Sequence, residues 1–404
     1  MNRKFVFALA GLALLALPAQ ALEVDEVSLP RIQFEGEFIS TIDYFNQSGA
    51  EDRDRLAPNT EDNNVFLAFD KHLWNSSNVA GFVMRIRLED NEAQPRLFGF
   101  LGGPRFRVSV GTMRLRNNVV RFPTAREEDL LTYTNVLNGS RGFEIEDDPE
   151  HLFGDNIIFE WFFRPSFWRA AVFSENRTRN DVNTLTLEKE DRPNTLGFSI
   201  SYEVPDAVKY DYWVRRLGFI YDVQALDRRD GDEAQLTSLL LGGVLALNDN
   251  LEFPWEGAFQ VITTAGLDDV DSAGNEIRAQ SEGELSREAA TASVLSIYYA
   301  NRRFLRTRWD LALTVAQKSY PDIADGAQWS AAPSYRYALS SGVNLVAQAI
   351  YTEYGDGLAE IIGRDREYRI QLGISMFVEQ TMNDEVVDYD SILELEQGSL
   401  FRGY

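Results

Sequence analysis

The chain has 404 residues, with 63 Asp and Glu against 39 Lys and Arg, a net charge of −24, two His and no Cys. Without Cys there is no disulfide framework, thiolate metal or iron–sulfur site, or cysteine nucleophile, and two His supply little for an imidazole metal centre. The negative charge repels a phosphate polymer, so no nucleic-acid partner is expected.

In chain order, the first element reads as an export signal over residues 1–21. Arg3 and Lys4 precede the largely apolar run Phe5–Leu17, and Pro18 leads into the small-x-small triplet Ala19-Gln20-Ala21. The apolar run is 13 residues long, too short for a membrane helix, which needs about 20. The mature chain is expected to begin at Leu22.

From Ile32 the sequence alternates. Ile32, Phe34, Gly36, Phe38, Ile42 and Tyr44 fall on one face, and Gln33, Glu35, Glu37, Thr41 and Asp43 on the other. That predicts a strand of about 13 residues, longer than the five or six usual in soluble sheets. The same dyad returns at Ala80–Leu88, Phe106–Val110, Leu196–Tyr202, Leu239–Leu247, Trp309–Val315, Val343–Tyr351 and Tyr368–Met376. Clusters of Asp, Asn, Gly, Ser and Pro between these runs read as turns and loops.

One apolar face per strand fits either a soluble sandwich or a barrel in lipid. Aromatic residues recur near the strand ends, among them Trp74, Trp161, Trp168, Tyr298, Tyr299, Trp309, Tyr335 and Tyr337, as interface girdles require. The opposite faces mix Arg with Glu, as a wet lumen would. The fold class expected is therefore all-β: an antiparallel transmembrane β-barrel over residues 22–379, followed by an acidic C-terminal tail over 380–404. Sixteen strands, within a range of 14 to 18, leave about 24 residues for each strand and its connection, and barrels of that size enclose an aqueous channel.

Two candidate features line such a bore. Of the basic residues, 34 are Arg, and Arg85, Arg87, Arg105, Arg107, Arg114, Arg116 and Arg121 crowd one stretch. With Arg85 and Arg87 on one strand face and Arg105 and Arg107 on a neighbouring one, the four are expected to stack as a pore-lining, anion-attracting patch. The alternative is a ladder of Arg paired with Glu and Asp that holds the strands in register. The second feature is the acidic loops, Glu51–Asp62, Asp227–Glu233 and Leu267–Arg287. Asp269, Asp271 and Glu276 have part of a calcium-loop spacing, but Ala273 replaces a ligand and no bidentate Glu follows, so no metal site is expected. For catalysis only His72 and His151 could serve as general base, and neither has a nucleophile motif beside it. The chain is read as a non-enzyme without cofactor.

The segment Tyr368–Val378, YRIQLGISMFV, resembles the barrel-closing strand signal of Gram-negative outer-membrane barrel proteins, with Gln371, Gly373, Met376, Phe377 and Val378 as its positions. The chain departs from that pattern by continuing to Tyr404. A second resemblance covers Phe106–Leu137, FRVSVGTMRLRNNVVRFPTAREEDLLTYTNVL, which is similar to the strand and inward constriction segment of phosphate-selective and related anion porins. These resemblances imply an outer-membrane porin-like channel for small polar or anionic solutes. They imply outer-membrane lipids, lipopolysaccharide and the barrel assembly machinery as partners, and a possible homotrimer. The alternative is a structural or anchoring barrel whose acidic tail engages a periplasmic partner or plugs the lumen.

Overall fold

The computed structural model describes residues 30–49, 53–60, 63–73, 78–89, 92–113, 120, 122, 154–163, 166–176, 194–204, 208, 211–227, 233–248, 254–265, 290–299, 308–320 and 323–382. Residues 1–21, expected to be an export signal, His151, the expected calcium-like loop and residues 383–404 lie outside them.

The described chain is almost entirely strand. In order these are β1 (Arg31–Gly49), β2 (Arg53–Asn59), β3 (Asn63–His72), β4 (Val79–Glu89), β5 (Glu92–Gly103), β6 (Phe106–Met113), β7 (Gly154–Phe162), β8 (Trp168–Asn176) and β9 (Asn194–Glu203). There follow β10 (Val214–Asp227), β11 (Glu233–Ala246), β12 (Trp255–Ala265), β13 (Ala290–Tyr299), β14 (Trp309–Ser319), β15 (Ala327–Ser340), β16 (Val343–Tyr354) and β17 (Arg364–Met382). Every pairing is antiparallel. The sheet closes where β17 meets β1, in register from Ile32↔Met382 to Gly49↔Arg364.

Segments β2 and β3 both pair with β1, at Thr41↔Asn59 and Glu37↔Asn64. They are one wall strand carrying an extra residue between them, in the manner of a bulge. The 17 segments thus make a closed barrel of 16 strands, the number expected from chain length. Strand β17 runs to Met382, so residues 380–382, counted with the tail in the sequence reading, belong to the wall.

The short connections, such as Pro104-Arg105 and Ser341-Gly342, lie at the end holding the start of β1 and the end of β17. By the usual asymmetry of outer-membrane barrels that end is periplasmic. At Gly342 the backbone has φ 75°, and a Cβ there would lie 2.3 Å from the Phe377 carbonyl oxygen. Only glycine makes this turn without strain.

Alternation sorts the side chains as lipid demands. The outward residues remain exposed and apolar: Phe82 57%, Leu295 55%, Leu313 50% and Leu372 58%. At the short-turn end aromatic rings band this face, Trp255 and Tyr299 with centroids 5.9 Å apart, Tyr299 and Trp309 4.9 Å, and Trp168 and Tyr202 5.3 Å. Tyr351 and Tyr368 meet at 4.9 Å towards the other end. An apolar belt between two aromatic girdles is the surface a bilayer covers. A helix, Asp356–Ile362, links β16 to β17 with Leu358 buried.

Candidate functional site

The inward face of the wall is the candidate site. Its residues are buried, which means that protein covers the inside of the wall. The described part of that cover is Val120 and Phe122, which follow β6 and lie within an inner apolar cluster. The backbone N–H of Val120 donates to Gln260 Oε1 on β12 at 3.2 Å, so Val120 lies against the inner face of the wall.

The inner wall mixes apolar and polar residues. Bulky apolar residues face inward on β4 to β12, together with Ser109, Glu160, Ser199, Asp222, Ser238 and Gln260. Val83 opposes Phe98, Ile158 opposes Phe173, and Ile220, Leu240 and Ile262 stand side by side in register. From β14 through β17 to β1 the inward residues are largely Ala, Ser, Thr and Gln, with charged Lys318, Arg31, Glu35, Asp43 and Glu367 and the larger Tyr354, Val346 and Ile350 among them. Cross-strand hydrogen bonds knit this second side. Thr314 and Ser296 hydroxyls meet at 2.8 Å, Ser330 and Thr352 at 2.9 Å, and Ser334 donates to Gln348 at 3.0 Å. Asp43 accepts from Thr41 at 2.5 Å, and from Asn59 and Gln371 at 3.0 Å each. Glu367 accepts from Tyr354 at 3.3 Å, Arg364 at 3.1 Å and Gln47 at 3.4 Å.

Near the short-turn end runs a series of ion pairs. Arg31 Nε donates to Asp70 Oδ1 at 2.9 Å, with both side chains 1% exposed. Arg107 and Glu160 oppose each other directly on β6 and β7, with Nε to Oε2 at 2.6 Å. Glu203 is held by Arg169 at 2.6 Å and by Arg216. Arg215 lies 3.9 Å from Glu256, which also accepts from the Tyr298 hydroxyl at 2.8 Å. Arg336 pairs with Asp310. Cation and carboxylate stand almost one for one, so the series adds little net field and serves chiefly to lock neighbouring strands.

The Arg group expected from the sequence is divided. Arg107 is buried in its ion pair. Arg105 lies in the turn between β5 and β6 and is exposed, so the two do not share a strand face. Arg85 and Arg87 stand on β4, with β5 between them and β6. Arg107 is level with Gly102 and Val79, six residues along β4 from Arg85. At roughly 3.3 Å per residue that is about 20 Å. The backbone positions of Arg85 and Arg107 are thus well separated along the wall. The side chains of Arg85 and Arg87, and Arg114, Arg116 and Arg121 altogether, lie outside the described residues. Gln371, Gly373, Met376, Phe377 and Val378 all fall on β17, which pairs with both β16 and β1. His72 ends β3, half buried.

The sequence reading missed the Ser, Thr and Gln ladder. Its signal was present: Gln348 and Gln371 alternate with outward Ala349, Ile370 and Leu372, the spacing that also marks the strand.

No protein-family model matches the chain, and no curated protein matches it. Solved structures do. The anion-selective porin from Comamonas acidovorans aligns with TM-score 0.60 at 12% identity, covering 87% of this chain and 100% of that one. A loop L8 deletion mutant of OmpT, an outer membrane protein of Vibrio cholerae, aligns with TM-score 0.56 at 6% identity, covering 87% and 100%. The outer membrane channel DcaP of Acinetobacter baumannii aligns with TM-score 0.55 at 10% identity, covering 88% and 99%. At such identities the likeness speaks for fold. The chain is thus a 16-strand β-barrel with the fold of the outer-membrane porins.

Proposed function

We propose that this barrel is a passive channel for small polar solutes in the outer membrane of a Gram-negative bacterium, and not an enzyme. The observation that carries this reading is the split between its surfaces. The outside is an apolar belt between aromatic girdles, and the inside bears hydroxyls, carboxamides and matched ion pairs. Lipids and lipopolysaccharide would contact the outside, the barrel assembly machinery would insert the chain, and a homotrimer is the proposed assembly. Because Arg107 is paired with Glu160, we expect weak rather than strong anion preference from the described wall.

Burial of the inner face favours one second reading, a closed structural or anchoring barrel. Swelling of liposomes containing the refolded protein separates the two. The channel reading predicts entry of arabinose and a reversal potential near zero in a KCl gradient. A reversal potential strongly displaced towards anions would return selectivity to the Arg cluster after β6. Liposomes that neither swell nor conduct would leave the structural barrel.

A further inference from the structure

Where the wall closes, three adjacent strands bring an arginine, a phenylalanine and a second arginine into one row. Phe45 of β1 lies opposite Arg369 of β17 on one side and Arg55 of β2 on the other. Residues directly opposite in an antiparallel pair share a face. Asn59, in phase with Arg55 on β2, donates to the inward Asp43, so all three side chains face the bore. The row is level with the outer girdle, since Tyr368, which meets Tyr351, is the neighbour of Arg369. We propose that this row is a binding site for small aromatic carboxylates, with Arg55 holding the carboxylate and Phe45 the ring. The proposal goes beyond the channel reading and does not need the bore to conduct.

Three observations converge. First, the row can be reached by a solute. The inward residues next in phase towards the short-turn end, Asp43 and Gln371, are 8% and 0% exposed, whereas Phe45 and Arg369 are half-buried and Arg55 is exposed. Second, the nearest carboxylates in register are engaged elsewhere. One step below the row Asp43 accepts from Thr41, Asn59 and Gln371, and one step above it Glu367 accepts from Gln47, Tyr354 and Arg364. The planar fork of Arg55 therefore suits an incoming carboxylate, which a guanidinium holds through two parallel hydrogen bonds. Third, the Arg369 guanidinium carbon stands 5.2 Å from the centroid of the Phe45 ring. That contact steadies the ring and puts a second positive charge beside it. The rest of the ring surface offers offset or edge contact to the ring of a ligand. The backbones of β2 and β17 are two strand spacings apart, about 10 Å, which leaves room between the two arms for one aromatic acid over Phe45. A bare inorganic anion would use the charge and leave the ring uncovered.

The test is a fluorine NMR titration of para-fluorobenzoate with the full, folded barrel in an uncharged detergent, with detergent alone as the blank. Arg55 is exposed, so Arg55→Gln leaves the fold intact, which its migration in an unboiled gel checks. Arg55→Gln should weaken binding about tenfold, the loss of one charge-assisted pair. Phe45→Leu, which keeps both cations, should weaken it about threefold through the lost ring contact. Arg105→Gln makes the same charge change in an exposed turn at the opposite mouth and should leave the affinity of the parent. Benzyl alcohol has the ring without the charge and inorganic phosphate the charge without the ring; each should compete with the probe far less well than benzoate does. Any of four results overturns the proposal: no binding beyond that of detergent alone, parental affinity in Arg55→Gln or in Phe45→Leu, an equal loss in Arg105→Gln, or competition by phosphate or benzyl alcohol as strong as by benzoate. Conductance does not enter the readout, so a barrel that binds the probe but carries no current would sink the channel reading and leave this site standing.

Discussion

Arg107 and Glu160 form a fully buried ion pair of the wall, with side chains 0% and 1% exposed. Removing one partner strands the other charge in a low-dielectric site. Arg107→Ala should therefore cost about 3–5 kcal/mol of folding stability, whereas the double variant Arg107→Ala, Glu160→Ala should recover a large part of that. Urea unfolding in lipid vesicles measures both, and equal losses would show that the pair contributes nothing as a pair. The Arg336–Asp310 pair, with Arg336 52% exposed, should matter far less, about 0–1 kcal/mol in the same experiment. Arg105→Ala should stay within about 0.5 kcal/mol of the parent, because Arg105 sits exposed in a turn. Its place was misread because Arg105 and Arg107 have the spacing of one strand face. The competing signal, Gly102-Gly103-Pro104, marks the strand end, but alternation on both sides of it masks the break. Which carboxylate meets which Arg depends on register between strands far apart in sequence, and periodicity within one strand carries no such information.

At the scale of the element, the seam between β1 and β17 decides whether a sheet becomes a cylinder. Gly373 lies opposite Thr41 there, and a Cβ on it would approach the Ser40 carbonyl oxygen to 2.0 Å. The obstacle is backbone, so no rotamer relieves it. Gly373→Val should cost at least the 1–3 kcal/mol or so typical of overpacking and should prevent closure, seen as loss of the fast-migrating folded band in an unboiled gel. Retention of that band would mean the seam tolerates a side chain. The strands were legible in the sequence because period-two patterning is local: Tyr368–Met376 falls inside β17, and Leu239–Leu247 overruns the end of β11 by one residue. The one-residue register offset that separates β2 from β3 along β1 was not legible. It is set by the pairing of both halves to β1, a contact no single strand announces.

For the whole molecule, the account rests on hydrocarbon covering the outside and water reaching part of the inside. Leu241 and Leu313 are outward and 48% and 50% exposed. Leu313→Arg should destabilise the barrel by about 2–4 kcal/mol if it sits near the bilayer midplane, whereas Arg near a girdle should cost about 0–1 kcal/mol. Folding equilibria in vesicles would show this depth dependence, and a uniform small cost would place water, not lipid, on that face. Exterior and strand count followed from pattern and chain length. The hydrogen-bond partners across the inner wall did not, since they need the order of strands around a closed wall. Single-channel recording of the refolded chain in a planar lipid bilayer bears most directly on the central claim. Discrete, stepwise ion currents carried by the inserted protein are predicted, and a folded, membrane-inserted barrel whose current never rises above that of the bare bilayer would contradict it.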